Sequence, residues 1–204
     1  MKQSPLTLSS ALLCALLLLV IGCSHPPRRE KFVPSRFSVD VHHPERLSVS
    51  VTSSPNAFPY PTAKPRGDEV FTPDSKFAEI YREAIVDAIR SCQLYAIADD
   101  HHAADVILDV TIRRMSDSSQ STGVTQGTSG APSAAALIVT EWSLKRKITG
   151  EVICHKDITT SNAHDAPDYI LGGMITAQRN AIEGMAATNI RQGIEWIARR
   201  TTSR

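Results

Sequence analysis

The side chains with chemistry to offer are histidines, cysteines and a few acids. His42, His43, His101, His102, His155 and His164 are scattered over the chain, two of the pairs being adjacent in sequence. A zinc site needs nitrogen, sulfur or carboxylate ligands converging in tetrahedral order. Adjacent histidines on a strand point to opposite faces, so neither pair chelates without a turn. No HExxH or CxxC spacing occurs. His155, His164 and Asp168 are the one set close enough in sequence to suggest a metal or hydrolytic centre. Solvated loop histidines are the simpler account, so no metal ligand, cofactor or catalytic residue is assigned. Serines are plentiful but no GxSxG elbow is present. Asp99-Asp100 reads as a turn. Gly123, Gly127 and Gly130 lack the Lys-Ser/Thr pair of a phosphate loop.

Cys23 has the clearest context. Lys2 gives a positive start, Ala11 to Ile21 is an almost unbroken apolar run, and Gly22 precedes the cysteine. A charged n-region, a short apolar h-region and small residues at the cut are the marks of a secretory signal. The run falls short of the ~20 residues that span a bilayer. With Val20-Ile21-Gly22 before Cys23, residues 1–23 resemble the lipobox segment of bacterial lipoproteins. That resemblance implies a signal peptide over 1–22, cleavage after Gly22 and acylation of Cys23. Each buried methylene contributes ~0.8 kcal/mol, and two or more chains hold firmly. Ser24, where inner-membrane lipoproteins of enterobacteria carry Asp, implies an outer-membrane anchor facing the periplasm.

Processing would leave 182 residues. It removes only Lys2 among charged residues, so 21 of the 22 Lys and Arg remain against 21 Asp and Glu. That balance argues against any reading based on bulk attraction to nucleic acid or anionic lipid, and nucleic acid is not expected as a partner. Membrane lipid, through acylated Cys23, and an envelope protein are the partners expected. Cys92 and Cys154 are the cysteines left to pair in an oxidising compartment; two separate buried thiols are the alternative, and spacing does not choose between them. Oligomeric state is not legible in the residues.

The elements that must position these groups follow from periodicity. Residues 23–35, with Pro26, Pro27 and Pro34, read as a lipidated tether, an extended spacer on the order of 40 Å. Arg28-Arg29 reads as a solvated pair. The rest, 36–204, reads as a single periplasmic domain. Phe37–Val41 and Leu47–Val51 alternate as strands, with a turn at His42–Glu45. A Pro-rich segment spans 53–73. Thr72-Pro73-Asp74 caps a helix whose stripe is Phe77, Ile80, Tyr81, Ala84, Ile85, Ala88 and Ile89. Strands are expected over 94–97, 104–113, 136–148 and 152–159, with a flexible Ser/Gly loop at 116–133, a hairpin turn at Thr149-Gly150 and a polar loop at 161–168. A terminal helix carries Ile175, Ile182, Met185, Ile190, Ile194 and Ile197, and Gly172-Gly173 marks its start.

The expectation is an α+β fold: a mostly antiparallel sheet of about five to six strands with two long helices packed on one face. The element order over 72–200 is similar to a group of envelope lipoproteins that includes CsgG, LpoB and PelC. That likeness implies a non-catalytic accessory or structural component of a cell-envelope assembly. Segments 53–73 and 116–133 are the expected working surfaces, because unexplained long loops carry function more often than packed faces do. The alternatives are a metal-binding or hydrolytic periplasmic enzyme and a carrier of a small ligand or lipid.

Overall fold

Val106, Leu108, Val110 and Ile112 alternate with Ile107, Asp109, Thr111 and Arg113, and the first four are fully buried. A half-buried strand follows directly from that pattern. The computed structural model describes residues 29–35, 37–57, 75–98, 100–120, 133–165 and 171–202. Its elements are α1 (Arg29–Phe32), β1 (His43–Ser53), α2 (Ser75–Cys92), β2 (Tyr95–Ile97), β3 (Val106–Gln120), β4 (Ser133–Arg146), β5 (Val152–Asp165) and α3 (Leu171–Thr201). A short 3-10 turn, His101–Ala103, joins β2 to β3.

The strands form one five-stranded sheet in the order β2-β1-β3-β4-β5. It is mixed. β1 runs parallel to both β2 and β3, while β3–β4 and β4–β5 are antiparallel. The expectation of a mostly antiparallel sheet is therefore corrected on the β1 side. Parallel neighbours require a crossover of a dozen or more residues, usually a helix, and β1–α2–β2 is such a unit. The link from β2 to β3 then crosses β1 on the face away from the helices, where Ser48 Oγ lies 3.2 Å from His101 Nδ1.

Other boundaries also move. Phe37–Val41 joins no ladder; Phe37, Val39 and Val41 instead pack half-buried against the core. The turn expected at His42–Glu45 is the start of β1 from His43 onward. Residues 116–120 extend β3 and 161–165 extend β5, where loops were expected. Both stretches are polar in sequence, and 161–165 bury little, so apolar periodicity could not show them. The helix-capping residues Thr72, Pro73 and Asp74, most of the Pro-rich segment (58–73), loop residues 121–132, and Asp168 lie outside the described residues.

The helices cover one face. α2 packs on β1 and β2, and α3 on β4 and β5. The stripe expected for α2 is buried, apart from a half-buried Ile80, and so are Ile182, Met185, Ile190, Ile194 and Ile197 of α3. A bulge between Ile112 and Arg114 leaves Arg113 as the extra residue, so that Met115 rather than Arg114 rejoins the core opposite Ile138.

Trp142 is fully buried beneath α3, its ring against Gly193, whose position leaves no room for a Cβ. Trp142 Nε1 donates to Thr140 Oγ1 at 2.9 Å, and Thr140 donates to Asn189 Oδ1 at 2.8 Å. Tyr81 of α2 donates to the same oxygen at 2.5 Å, and Asn189 Nδ2 donates to Thr160 Oγ1 at 3.1 Å. Both ends of the Asn189 amide are thus satisfied without water, as a buried polar group requires. This network fastens both long helices to β4 and β5 at one depth. Burial raises the Tyr81 hydroxyl well above the usual tyrosine range.

Candidate interaction surface

The open face of the sheet is built from the positions that alternate with the core. β1 contributes Ser50 and Thr52, β3 contributes Asp109 and Thr111, β4 contributes Glu141, Ser143 and Lys145, and β5 contributes His155. Together with Val110 and Val152 they line a shallow groove of 510 Å³. Its charges are arranged in pairs across neighbouring strands. Lys145 Nζ lies 3.0 Å from Asp109 Oδ2. Glu141 sits between Arg113, with which it forms an ion pair, and His155, whose Nδ1 is 3.7 Å away. These pairs are partly solvated, so each contributes at most about 1 kcal/mol. Their effect is to fix a patterned polar surface. The space between sheet and helices, where an apolar ligand would sit, is filled by Trp142, Tyr81, Phe77 and Leu108.

The histidines do not converge. His42 Nδ1 is 2.7 Å from the Gln93 carbonyl. His43 stacks on Tyr95 at 4.6 Å and bonds Thr201 Oγ1 at 2.8 Å. His101 and His102 belong to the 3-10 turn, capped by Asp100, which accepts from the His102 N–H. His155 and His164 are nine residues apart on β5, an odd spacing that puts them on opposite faces. Among the described residues, no three His, Cys, Asp or Glu side chains gather closely enough to hold a metal ion.

Cys92 and Cys154 are thiols rather than a disulfide pair. Cys92 is buried in the last turn of α2, where its Sγ points at the Ile89 carbonyl, and burial pushes its thiol up. Cys154 is half-buried on β5, opposite Leu144. Cys23 lies outside the described residues. Among the described residues, no helix is long and apolar enough to cross a membrane.

Two features escaped sequence reasoning. One is the polar face of β3 and β4, signalled by Asp109, Arg113, Glu141 and Lys145 at alternate positions. The other is α1. The second half of the expected tether, from Arg29 on, is a helical turn docked on the helix layer rather than an extended spacer. Arg29 reaches two carboxylates of α2: Nη1 is 2.8 Å from Glu83 Oε2, and Nη2 is 2.5 Å from Asp87 Oδ2. The bond to Asp87 raises the guanidinium's pKa further. Phe32 is fully buried, its ring 5.6 Å from that of Phe77. Glu83 and Asp87, one helical turn apart and off the apolar stripe, form a fork matched to a guanidinium. That spacing was the available signal.

No family model matches the chain, and no curated protein does. A DUF330-family protein from Xanthomonas campestris has a similar structure over 84% of this chain and 93% of its own, at 15% identity and a TM-score of 0.58. The rare lipoprotein B of Shewanella oneidensis aligns over 78% of this chain and 98% of its own, at 9% identity and a TM-score of 0.47. The PelC dodecamer of Paraburkholderia phytofirmans aligns over 78% and 93%, at 14% identity and a TM-score of 0.43. The first comparison defines the class: this chain shares the α+β fold of the DUF330-family protein.

Proposed function

We propose that this protein is a lipid-anchored envelope lipoprotein, held at the outer membrane through acylated Cys23 and facing the periplasm. It acts as a non-catalytic accessory or structural component of a cell-envelope assembly. Its open sheet face docks an envelope protein partner, the patterned charges of Asp109, Lys145, Glu141 and Arg113 setting register rather than supplying most of the affinity. The observation that carries the reading is the docking of Arg29 and Phe32 on α2, six and nine residues beyond Cys23. A domain that begins so soon after its lipidation residue is a surface presented at a membrane.

The test has two parts. Metabolic labelling with palmitate should mark the wild-type chain and not Cys23→Ser; a labelled Cys23→Ser chain sinks the anchor. Photo-crosslinkers placed at Thr52, Thr111 and Asp157 should capture the same envelope protein in intact cells. A set of adducts no different from that of an exposed helix position, Glu79, would remove the sheet face as the docking surface.

A further inference from the structure

The short reach between anchor and domain restricts which side of the molecule can meet the bilayer. From Cys23 to Arg29 the chain spans at most ~3.6 Å per residue, about 20 Å in all. Arg29 is fastened to the outer side of α2, where Glu83 and Asp87 are a third exposed. To lay the open sheet face on the lipid, the leash would have to pass round both layers. A helix is about 10–12 Å across, and a sheet with its side chains adds a thickness of about 10 Å. The leash would be spent before reaching the far face.

Charge points the same way. α1, α2 and α3 together hold nine Lys and Arg against six Asp and Glu, whereas the five strands hold six of each. Lys31, Arg82 and Arg90 are exposed on the first two helices, and basic side chains near an anionic bilayer are drawn to it within a Debye length.

We infer that the helix layer is a lipid-facing surface. With Cys23 in the membrane, α1 straps the domain so that Lys31, Arg82 and Arg90 lie over anionic head groups and the groove of Asp109, Glu141 and Lys145 faces away. The inference rests on the lipid-anchor reading and adds an orientation and a lipid class to it.

The full lipidated chain is reconstituted in vesicles of phosphatidylethanolamine and phosphatidylglycerol, 3:1. Single-cysteine variants carry a fluorophore at Arg82→Cys or Asp157→Cys, in a Cys92→Ala, Cys154→Ser background. A head-group-labelled lipid serves as quencher. Quenching at position 82 is expected to exceed that at 157 severalfold, and the combined Arg29→Ala, Phe32→Ala change should narrow the difference. Lysine acetylation of the unmutated chain gives a second readout. Lys31 should be protected severalfold on these vesicles and less on phosphatidylcholine vesicles, with Lys145 unchanged. Equal quenching at the two positions, or protection of Lys145 instead of Lys31, in a chain that is acylated and floats with vesicles overturns the orientation alone. A chain without acyl mass that fails to float overturns the anchor reading, and the orientation with it.

Discussion

Replacing Gly193 with alanine tests whether α3 is seated on Trp142 as described. A Cβ at 193 would stand 2.5 Å from Trp142 Cζ2 and 2.6 Å from Cε2 and Cη2. Carbon atoms in contact sit about 3.5–4.0 Å apart, so helix and ring must separate by about 1 Å. The ring is not free to swing, because Nε1 is bonded to Thr140 Oγ1. Overpacking of this kind costs about 1–3 kcal/mol, and tilting the indole off Thr140 adds about 1 kcal/mol. The better helix propensity of alanine returns about 1 kcal/mol. The expected net loss is about 2 kcal/mol, which at a urea m-value of about 2 kcal/mol per molar lowers the midpoint by about 1 M. Urea unfolding of the mature, non-lipidated chain, followed by tryptophan fluorescence, measures it. Thr188→Ala, at an exposed position on the same helix, is the control and should be neutral or slightly stabilising. If Gly193→Ala proves as stable as that control, the close approach of α3 to the sheet is wrong.

The remaining expectations concern the polar network, the strap and the thiols. Asn189→Leu strands the buried Tyr81 hydroxyl and takes one bond each from Thr140 and Thr160, which keep the Ile158 carbonyl and Gln192 as partners; at about 1–3 kcal/mol for a stranded group and about 1 kcal/mol or less for each other bond, a loss of about 3 kcal/mol is expected by the same unfolding assay. Tyr81 has its pKa raised by burial, so the native state keeps a proton that the unfolded chain releases above pH ~10. Its contribution is full below that pH and falls as pH rises past it, so Tyr81→Phe should flatten the alkaline limb of a stability–pH profile. Phe32→Ala should cost about 3–5 kcal/mol as a buried aromatic loss, and Arg29→Ala about 1 kcal/mol or less as a partly exposed ion pair; limited proteolysis ahead of Val33 should rise in the same order. Iodoacetamide should modify half-buried Cys154 well before Cys92, whose thiol is buried and raised in pKa; equal rates would contradict their placement.

What was legible in the chain was whatever buries apolar side chains at a regular period. The stripes of α2 and α3 and the core faces of β3 and β4 could be read residue by residue. The polar ends of the long hairpins could not, because Ser161, Asn162 and His164 extend β5 by backbone pairing to Leu137, Ala136 and Ala134 respectively rather than by burial. The direction of pairing was lost for another reason. Adjacency in sequence favours antiparallel partners, whereas α2 between β1 and β2 supplies the crossover that a parallel pair needs. Among the working surfaces, the groove was half visible: Asp109 and Lys145 sit at alternate positions, but that they meet across β3 and β4 depends on register. Arg29 was hidden among prolines and charges, since its fork of Glu83 and Asp87 lies more than fifty residues further on.

That separation has a consequence in time. As the chain emerges from its N-terminal end, Arg29 and Phe32 have nothing to bind until residues 77–87 have been made and coiled into α2. Closing a contact over that span carries a loop-closure cost that local structure does not. Arg29 and Phe32 therefore stay uncovered early in the life of the chain and are docked only once α2 has formed behind them. A protease acting during synthesis would meet this segment open, and one acting on the folded chain would meet it closed.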